Sequence, residues 1–312
     1  MIQTRPVTLP HGITLHCRTS GVAGRPVLLF LHGFPEGAFI WDEQLAYFAR
    51  PENGGYRCVA PYLRGFGPSS SPAGVEAYRA KHLVQDLVAL IAAESPHAPL
   101  ECLVAHDWGG AVAWNLANQQ AQLMKRLAIV NSPHPGVFLR ELQHNPAQQA
   151  ASQYMHFLCR PDAEALLAEN DFGRLFGFFD APDGRAPAWL TDPVRAQYRA
   201  LWQQGLTGAC NYYRASPLRP PRNKGGGDGG PASNTEDSVQ AITLPDSMLT
   251  IAVPTLVLWA MDDPALLPAL LDGLPGWIPQ LQLQRIERAT HWVVHEHPER
   301  VAMELRRFLQ SK

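Results

Sequence analysis

The sequence predicts an α/β protein: a parallel sheet covered by helices on both faces and interrupted once by a helical insertion. Three observations carry this. Strand-like and helix-like segments alternate over residues 1–133, an all-helical pattern replaces them from 134, and the alternation resumes after 250. The later strand segments are nearly continuous apolar runs, as strands buried on both faces require.

In chain order, ITLHCRT (13–19), PVLLFLHG (26–33), YRCVAPY (56–62), LECLVAHD (100–107) and RLAIVNS (126–132) read as strands. Between them WDEQLAYFAR, AYRAKHLVQDLVALIAAE and GGAVAWNLANQQA place apolar residues at helical spacing. Residues 134–221 are rich in Leu, Ala, Gln and aromatics, show no strand signal, and are expected to form a helical cap. Residues 222–250 form a connector and return segment. Its RNKGGGDGGPASNTEDS run (222–238) has too little apolar surface to order itself, and without an entering strand or a following GK[ST] it does not fit a phosphate cradle. Residues 251–312 complete the sheet with PTLVLWA (254–260) and LQLQRI (281–286), the helical signals LLPALLDGL and PERVAMELRRFLQ accompanying them.

Composition narrows the function. The 26 basic residues nearly balance 28 acidic ones, and no Lys/Arg block is present to track a phosphate backbone, so nucleic acid is not an expected partner. The N-terminus lacks the apolar run of a signal peptide, and no stretch reaches the roughly 20 apolar residues that span a bilayer, so a cytoplasmic location is expected. The five cysteines are odd in number and scattered, which indicates neither a disulfide framework nor a zinc site.

The chemistry gathers where strands end. In VAHDWGG (104–110), Asp107 closes a strand and a helix follows at once, a sharp turn that lifts the central side chain above the carboxyl edge of the sheet. LHGFPEG (31–37) leaves another strand beside the same edge, and the backbone N–H groups of Phe34 and Trp108 are placed to face an oxyanion together. In RATHWVVHEHPERV (288–301), His291 lies between the last strand and the last helix and is a candidate general base. The spacing of His291, His295 and His297 is not that of a metal motif, and no metal is expected. LWAMDDPALL (258–267) offers Asp262 or Asp263 to orient the imidazole. A carboxylate attacking an acyl carbon would form a reactive anhydride, whereas on a saturated carbon it forms an ester that a second step can hydrolyse, so Asp107 favours alkyl substrates.

HGFPE, LRGFGPSS (63–70), HDWGG, NYYR (211–214), WAMDDP and HW (291–292), in this order, resemble the α/β-hydrolase fold and within it the soluble epoxide hydrolases. The resemblance covers residues 10–310 and implies Asp107 as nucleophile, His291 as base, and Asp263, the Asp before Pro, as orienting acid in preference to Asp262. Ala105 and Ala260 stand where the family usually has glycine. It also implies a cis Phe34–Pro35 bond and two cap tyrosines, Tyr213 and Tyr154, that bind and protonate the epoxide oxygen. Tyr212, Phe34 and Trp108 are expected to touch the substrate, an apolar small molecule, and no cofactor is expected.

Four rival readings share the fold. Haloalkane dehalogenases use the same aspartyl ester and hold halide with a tryptophan at the position of Trp108, but often carry Asn where this chain has Phe34. Fluoroacetate dehalogenases carry arginines where this chain has Trp108 and Ala111, and a His-Trp pair where it has Tyr154 and Met155. A catalytically silent ligand-binding protein would not need competent residues at all three triad positions. A serine esterase would need serine at the elbow.

Overall fold

The computed structural model describes residues 1–181, 184–222 and 239–311. Of the Gly-rich run 222–238, all but Arg222 lies outside the described residues. A single sheet runs in the order β1-β2-β4-β3-β5-β6-β7-β8. Its strands are β1 (Gln3–Thr8), β2 (Thr14–Ser20), β3 (Val27–Leu31), β4 (Arg57–Pro61), β5 (Cys102–His106), β6 (Leu127–Val130), β7 (Thr255–Ala260) and β8 (Leu281–Ile286). From β4 onward every pairing is parallel, while β1 and β2 add an antiparallel edge.

The central strands VLLFL, CLVAH, LAIV and TLVLWA are buried along their whole length, which is why they carry no polar alternation. They are flanked by α1 (Asp42–Phe48), α2 (Ala80–Glu94), α3 (Asp107–Gln119) and, at the C-terminus, α12 (Pro298–Gln310). The expected alternation is therefore present, with two differences. Strand β1, QTRPVT, has no apolar pattern, because five of its six residues are exposed and only its pairing with β2 makes it a strand. The apolar run LLPALLDGL does not form one helix: a 3₁₀ turn at Pro268–Leu271 ends before Gly273, at φ 82°, and a separate turn, α10 (Leu274–Trp277), follows.

Between β6 and β7 lie α4 (Pro135–His144), α5 (Pro146–Ala151), α6 (Tyr154–Leu158), α7 (Ala163–Gly177), α8 (Asp192–Trp202) and α9 (Thr207–Ala215), with no strand among the described residues. Helix α7 is interrupted at Asn170, Asp171 and Phe172, whose φ angles of 51°, 55° and 63° are left-handed. These helices stand over the carboxyl ends of the parallel strands, where Trp202 Nε1 donates to the Pro35 carbonyl at 2.6 Å and Tyr198 donates to Glu36 at 2.8 Å. The short α11 (Val293–Glu296) precedes α12. No described helix is long and apolar enough to cross a membrane.

Candidate active site

Asp107 is the first residue after β5 and the first of α3, with φ 49°, a left-handed conformation that an L-residue adopts only under constraint. Three contacts supply the constraint. Ser132 Oγ donates to the Asp107 carbonyl at 2.7 Å, and the Phe34 amide donates to Asp107 Oδ1, also at 2.7 Å. Gly109 leaves room below the turn: a Cβ there would lie 2.6 Å from the His32 carbonyl oxygen. At Gly33 a Cβ would fall inside the Asp107 carboxylate. Gly33→Ala is therefore expected to be destabilising by about 1–3 kcal/mol, as overpacked sites are. Its lost activity should not return on cooling, and paired denaturation and activity measurements check both.

His291 follows β8 and lies between two carboxylates. Its Nδ1 donates to Asp263 Oδ2 at 2.7 Å, which leaves Nε2 facing Asp107 Oδ2 at 3.6 Å. Asp263 is fully engaged: it also accepts from Asn131 Nδ2 at 2.8 Å and from the amides of Ala265 and Leu266 at 2.8 and 3.0 Å. Asp262 is exposed and carries no such bonds, so the geometry separates the two aspartates that sequence alone leaves open.

The electrostatics follow from these contacts. Burial alone would push the Asp263 carboxyl up, but the His291 charge and the donated hydrogen bonds outweigh it and hold the group below the usual carboxylate range. Burial likewise disfavours the His291 imidazolium. Asp263 outweighs that burial, with help from Asp107 and Glu36, and raises the pKa to about 9. A histidine whose folded pKa lies above its ordinary 6.5 contributes stability in full below that value and loses it as pH rises through about 9. The melting temperature should accordingly fall between pH 7 and 9, and fall less in His291→Gln. Equal slopes in the two proteins would contradict the assignment.

Around the cavity that reaches Asp107, the helices between β6 and β7 contribute Tyr154, at the start of α6, and Tyr213, in α9. Their rings meet edge to face at 6.0 Å, and Tyr213 also packs edge-on against Trp108 at 5.0 Å and Phe34 at 5.2 Å. Burial, reinforced by the Asp107 carboxylate, raises the pKa of both phenols, so they stay protonated and able to donate. A cavity of about 310 Å³ reaches Asp107, Trp108, Tyr154 and Tyr213 and continues along Phe138, Met155, Leu218, Leu244, Met248 and Leu266. A few polar groups at one end of an apolar space is the usual form of a small-molecule site.

Of the residues expected at the site, the structure brings together Asp107, Trp108, Tyr154, Tyr213, Asp263, His291 and the Phe34 amide. One is placed differently from a direct substrate contact, and another offers the cavity only its ring. The Phe34 ring is buried against Tyr213 and Phe178, leaving only its amide directed at Asp107. Tyr212 presents its ring to the cavity, but its hydroxyl donates to the Arg64 carbonyl at 2.9 Å. The Trp108 amide lies in the first turn of α3, where a helix leaves N–H groups without intrahelical acceptors. The Phe34–Pro35 bond is cis.

Sequence reasoning missed two parts. Asn131, at the end of β6 with φ 38°, ties Asp263 to the sheet by donating to it and accepting from the Ala260 amide at 2.9 Å. Glu36 is buried beneath His291. It accepts from Tyr198 at 2.8 Å, pairs with His295 at 2.8 Å and lies 3.2 Å from His106 Nδ1, whose other nitrogen donates to the His291 carbonyl at 2.9 Å. A polar residue just past the end of β6 was the available signal for Asn131, and a polar last residue of the buried β5 for His106.

The model of the α/β-hydrolase fold family matches residues 26–298. The AB hydrolase superfamily protein YfhM of Bacillus subtilis is 32% identical over 97% of this chain and 96% of its own length. Epoxide hydrolase 3 of Xenopus tropicalis is 32% identical over 96% of this chain and 76% of its own. A solved epoxide hydrolase from hot-environment metagenomes superposes with a TM-score of 0.82 at 34% identity, covering 100% of both chains. The chain belongs to the α/β-hydrolase fold family.

Proposed function

We propose that this protein is an epoxide hydrolase that converts an apolar epoxide and water to a vicinal diol through an ester on Asp107. The carrying observation is the position of the Asp107 carboxylate, beside the His291–Asp263 pair and at the end of an apolar cavity that two protonated tyrosines also line. The similarity to epoxide hydrolases along nearly the whole chain supports the same reading. Residues 134–221 act as the cap that contributes the tyrosines.

In this reading the two carboxylate oxygens have different tasks. Oδ1 is held by the Phe34 amide, so Oδ2 attacks the epoxide carbon. The ring C–O bond breaks, and the leaving oxygen takes a hydrogen bond and then a proton from the tyrosine pair. Asp107 is now an uncharged ester, and His291, having lost one of the anions that raised its pKa, gives up its proton to re-protonate the tyrosine pair. In its neutral form Nε2 takes a proton from water attacking the ester carbonyl carbon. The oxyanion formed is Oδ1, already beside the Phe34 amide and joined there by that of Trp108. Collapse of this intermediate releases the diol, the second hydrogen of the water passing to the departing oxygen, and restores the carboxylate beside a protonated His291, as in the resting enzyme. Only water is consumed.

The test is a parallel assay with aryl epoxides, alkyl epoxides and haloalkanes, in which diol and halide are scored separately. Diol from epoxides is the expected result; halide release without diol would overturn the reading.

A further inference from the structure

The loop LRGFG (63–67), which follows β4, is anchored from both ends of one side chain. Buried Arg64 donates to Asp86 at 2.7 and 2.6 Å and to the Ala77 carbonyl at 2.8 Å, and Asp86 also holds His11 Nε2 at 2.6 Å. With its guanidinium fixed in this way, the Arg64 carbonyl accepts from the buried hydroxyl of Tyr212. One residue on, Gly65 meets Gly208 in the first turn of α9 so closely that a Cβ on either would collide with the backbone of the other. Loop and helix are thus locked at two adjacent points.

The rest of NYYR extends this lock. Asn211 Nδ2 donates to the Ala73 carbonyl at 3.4 Å, and Arg214 binds Glu164 at 2.6 and 2.7 Å and the Arg160 carbonyl at 2.6 Å. Three of the four side chains therefore fasten α9, two to the core and one to neighbouring helices. Tyr213 is the one of the four that does not fasten the helix, and its ring packs on Trp108 and Phe34 beside Asp107.

We propose that Tyr212 is a positioning residue for epoxide opening: its hydroxyl, held on the Arg64 carbonyl, fixes α9 so that the Tyr213 hydroxyl reaches the oxygen leaving the carbon under attack by Asp107. The inference rests on the epoxide reading. Phenylalanine at 212 would keep the ring contacts with Phe66, Tyr78 and Trp108 at 5.3, 5.7 and 5.6 Å. It would also leave a buried carbonyl unpaired, a strain that α9 relieves by shifting. A misplacement of about 1 Å is enough to cost on the order of 10²-fold in rate.

Single-turnover quench experiments with excess enzyme and styrene oxide separate ester formation from ester hydrolysis. In Tyr212→Phe, formation should slow about tenfold or more while hydrolysis, in which Tyr213 touches neither the attacking water nor the ester carbonyl, stays within about twofold. Gly208→Ala, which pushes on the same joint from the other contact, should give the same selective slowing. In a Tyr213→Phe background, Tyr212→Phe should add no further loss, because a residue acting through another is silent once that other is gone. Unchanged ester formation in Tyr212→Phe, equal slowing of both half-reactions, or losses that multiply in the double variant would each overturn the proposal. A wild type that forms no ester from the epoxide would instead overturn the functional reading beneath it.

Discussion

His291→Gln is expected to open one equivalent of epoxide and stop, leaving an alkyl ester on Asp107 visible by intact mass. Glutamine cannot take the proton from the attacking water, and loss of a general base typically lowers turnover by about 10²–10⁴-fold. Ring opening needs only Oδ2 and the tyrosines, so the first step survives. The same geometry predicts a pH signature. In the resting enzyme Asp263, Asp107 and Glu36 outweigh burial and hold the His291 pKa near 9. Once Asp107 is esterified one of those anions is gone, so the hydrolysis half-reaction should follow a pKa below that of the resting histidine. Pre-steady-state profiles of ester decay against pH check this. A decay pKa at or above the resting value would contradict the charge argument.

Tyr154→Phe/Tyr213→Phe should fail at the opposite point, with no ester accumulating because the ring does not open. Removing one well-placed donor from a developing oxyanion costs about 10²–10³-fold. Losing both leaves the alkoxide to form in an apolar cavity with no proton source among the phenols that burial keeps neutral. Adding His291→Gln to this variant should restore no adduct. Rapid ester formation in the double tyrosine variant would show that other groups protonate the leaving oxygen.

Much of this site is legible in sequence because α/β topology brings the carboxyl ends of parallel strands to one edge. Asp107, His32 to Phe34, Asp263 and His291 all fall just past strand ends, so finding the strands locates the chemistry. What was not legible depends on contacts remote in sequence. Asp262 and Asp263 are adjacent and identical, and position past the strand end does not separate them: the resemblance prefers Asp263, but the bonds from His291, Asn131 and the Ala265 and Leu266 amides that single it out come together only in the fold. The Glu36–Tyr198–His295 cluster joins three segments separated by 162 and 97 positions. Tyr212 and Tyr213 differ in where their hydroxyls point, a consequence of helix rotation set by the Gly65–Gly208 approach. Strand β1 carries no pattern because it is exposed, and β2 supplies its partner.

If Asp107 opens the ring, the oxygen added to the epoxide comes from Asp107 and water enters only afterwards. A single turnover in oxygen-18 water, with enzyme in excess over epoxide, tests it directly. The expected products are diol without the heavy isotope and a peptide containing Asp107 that has gained it, because water attacks the ester carbonyl rather than the substrate carbon. Heavy oxygen in the diol of the first turnover, with an unlabelled Asp107, would mean that water opens the ring directly and that no ester forms.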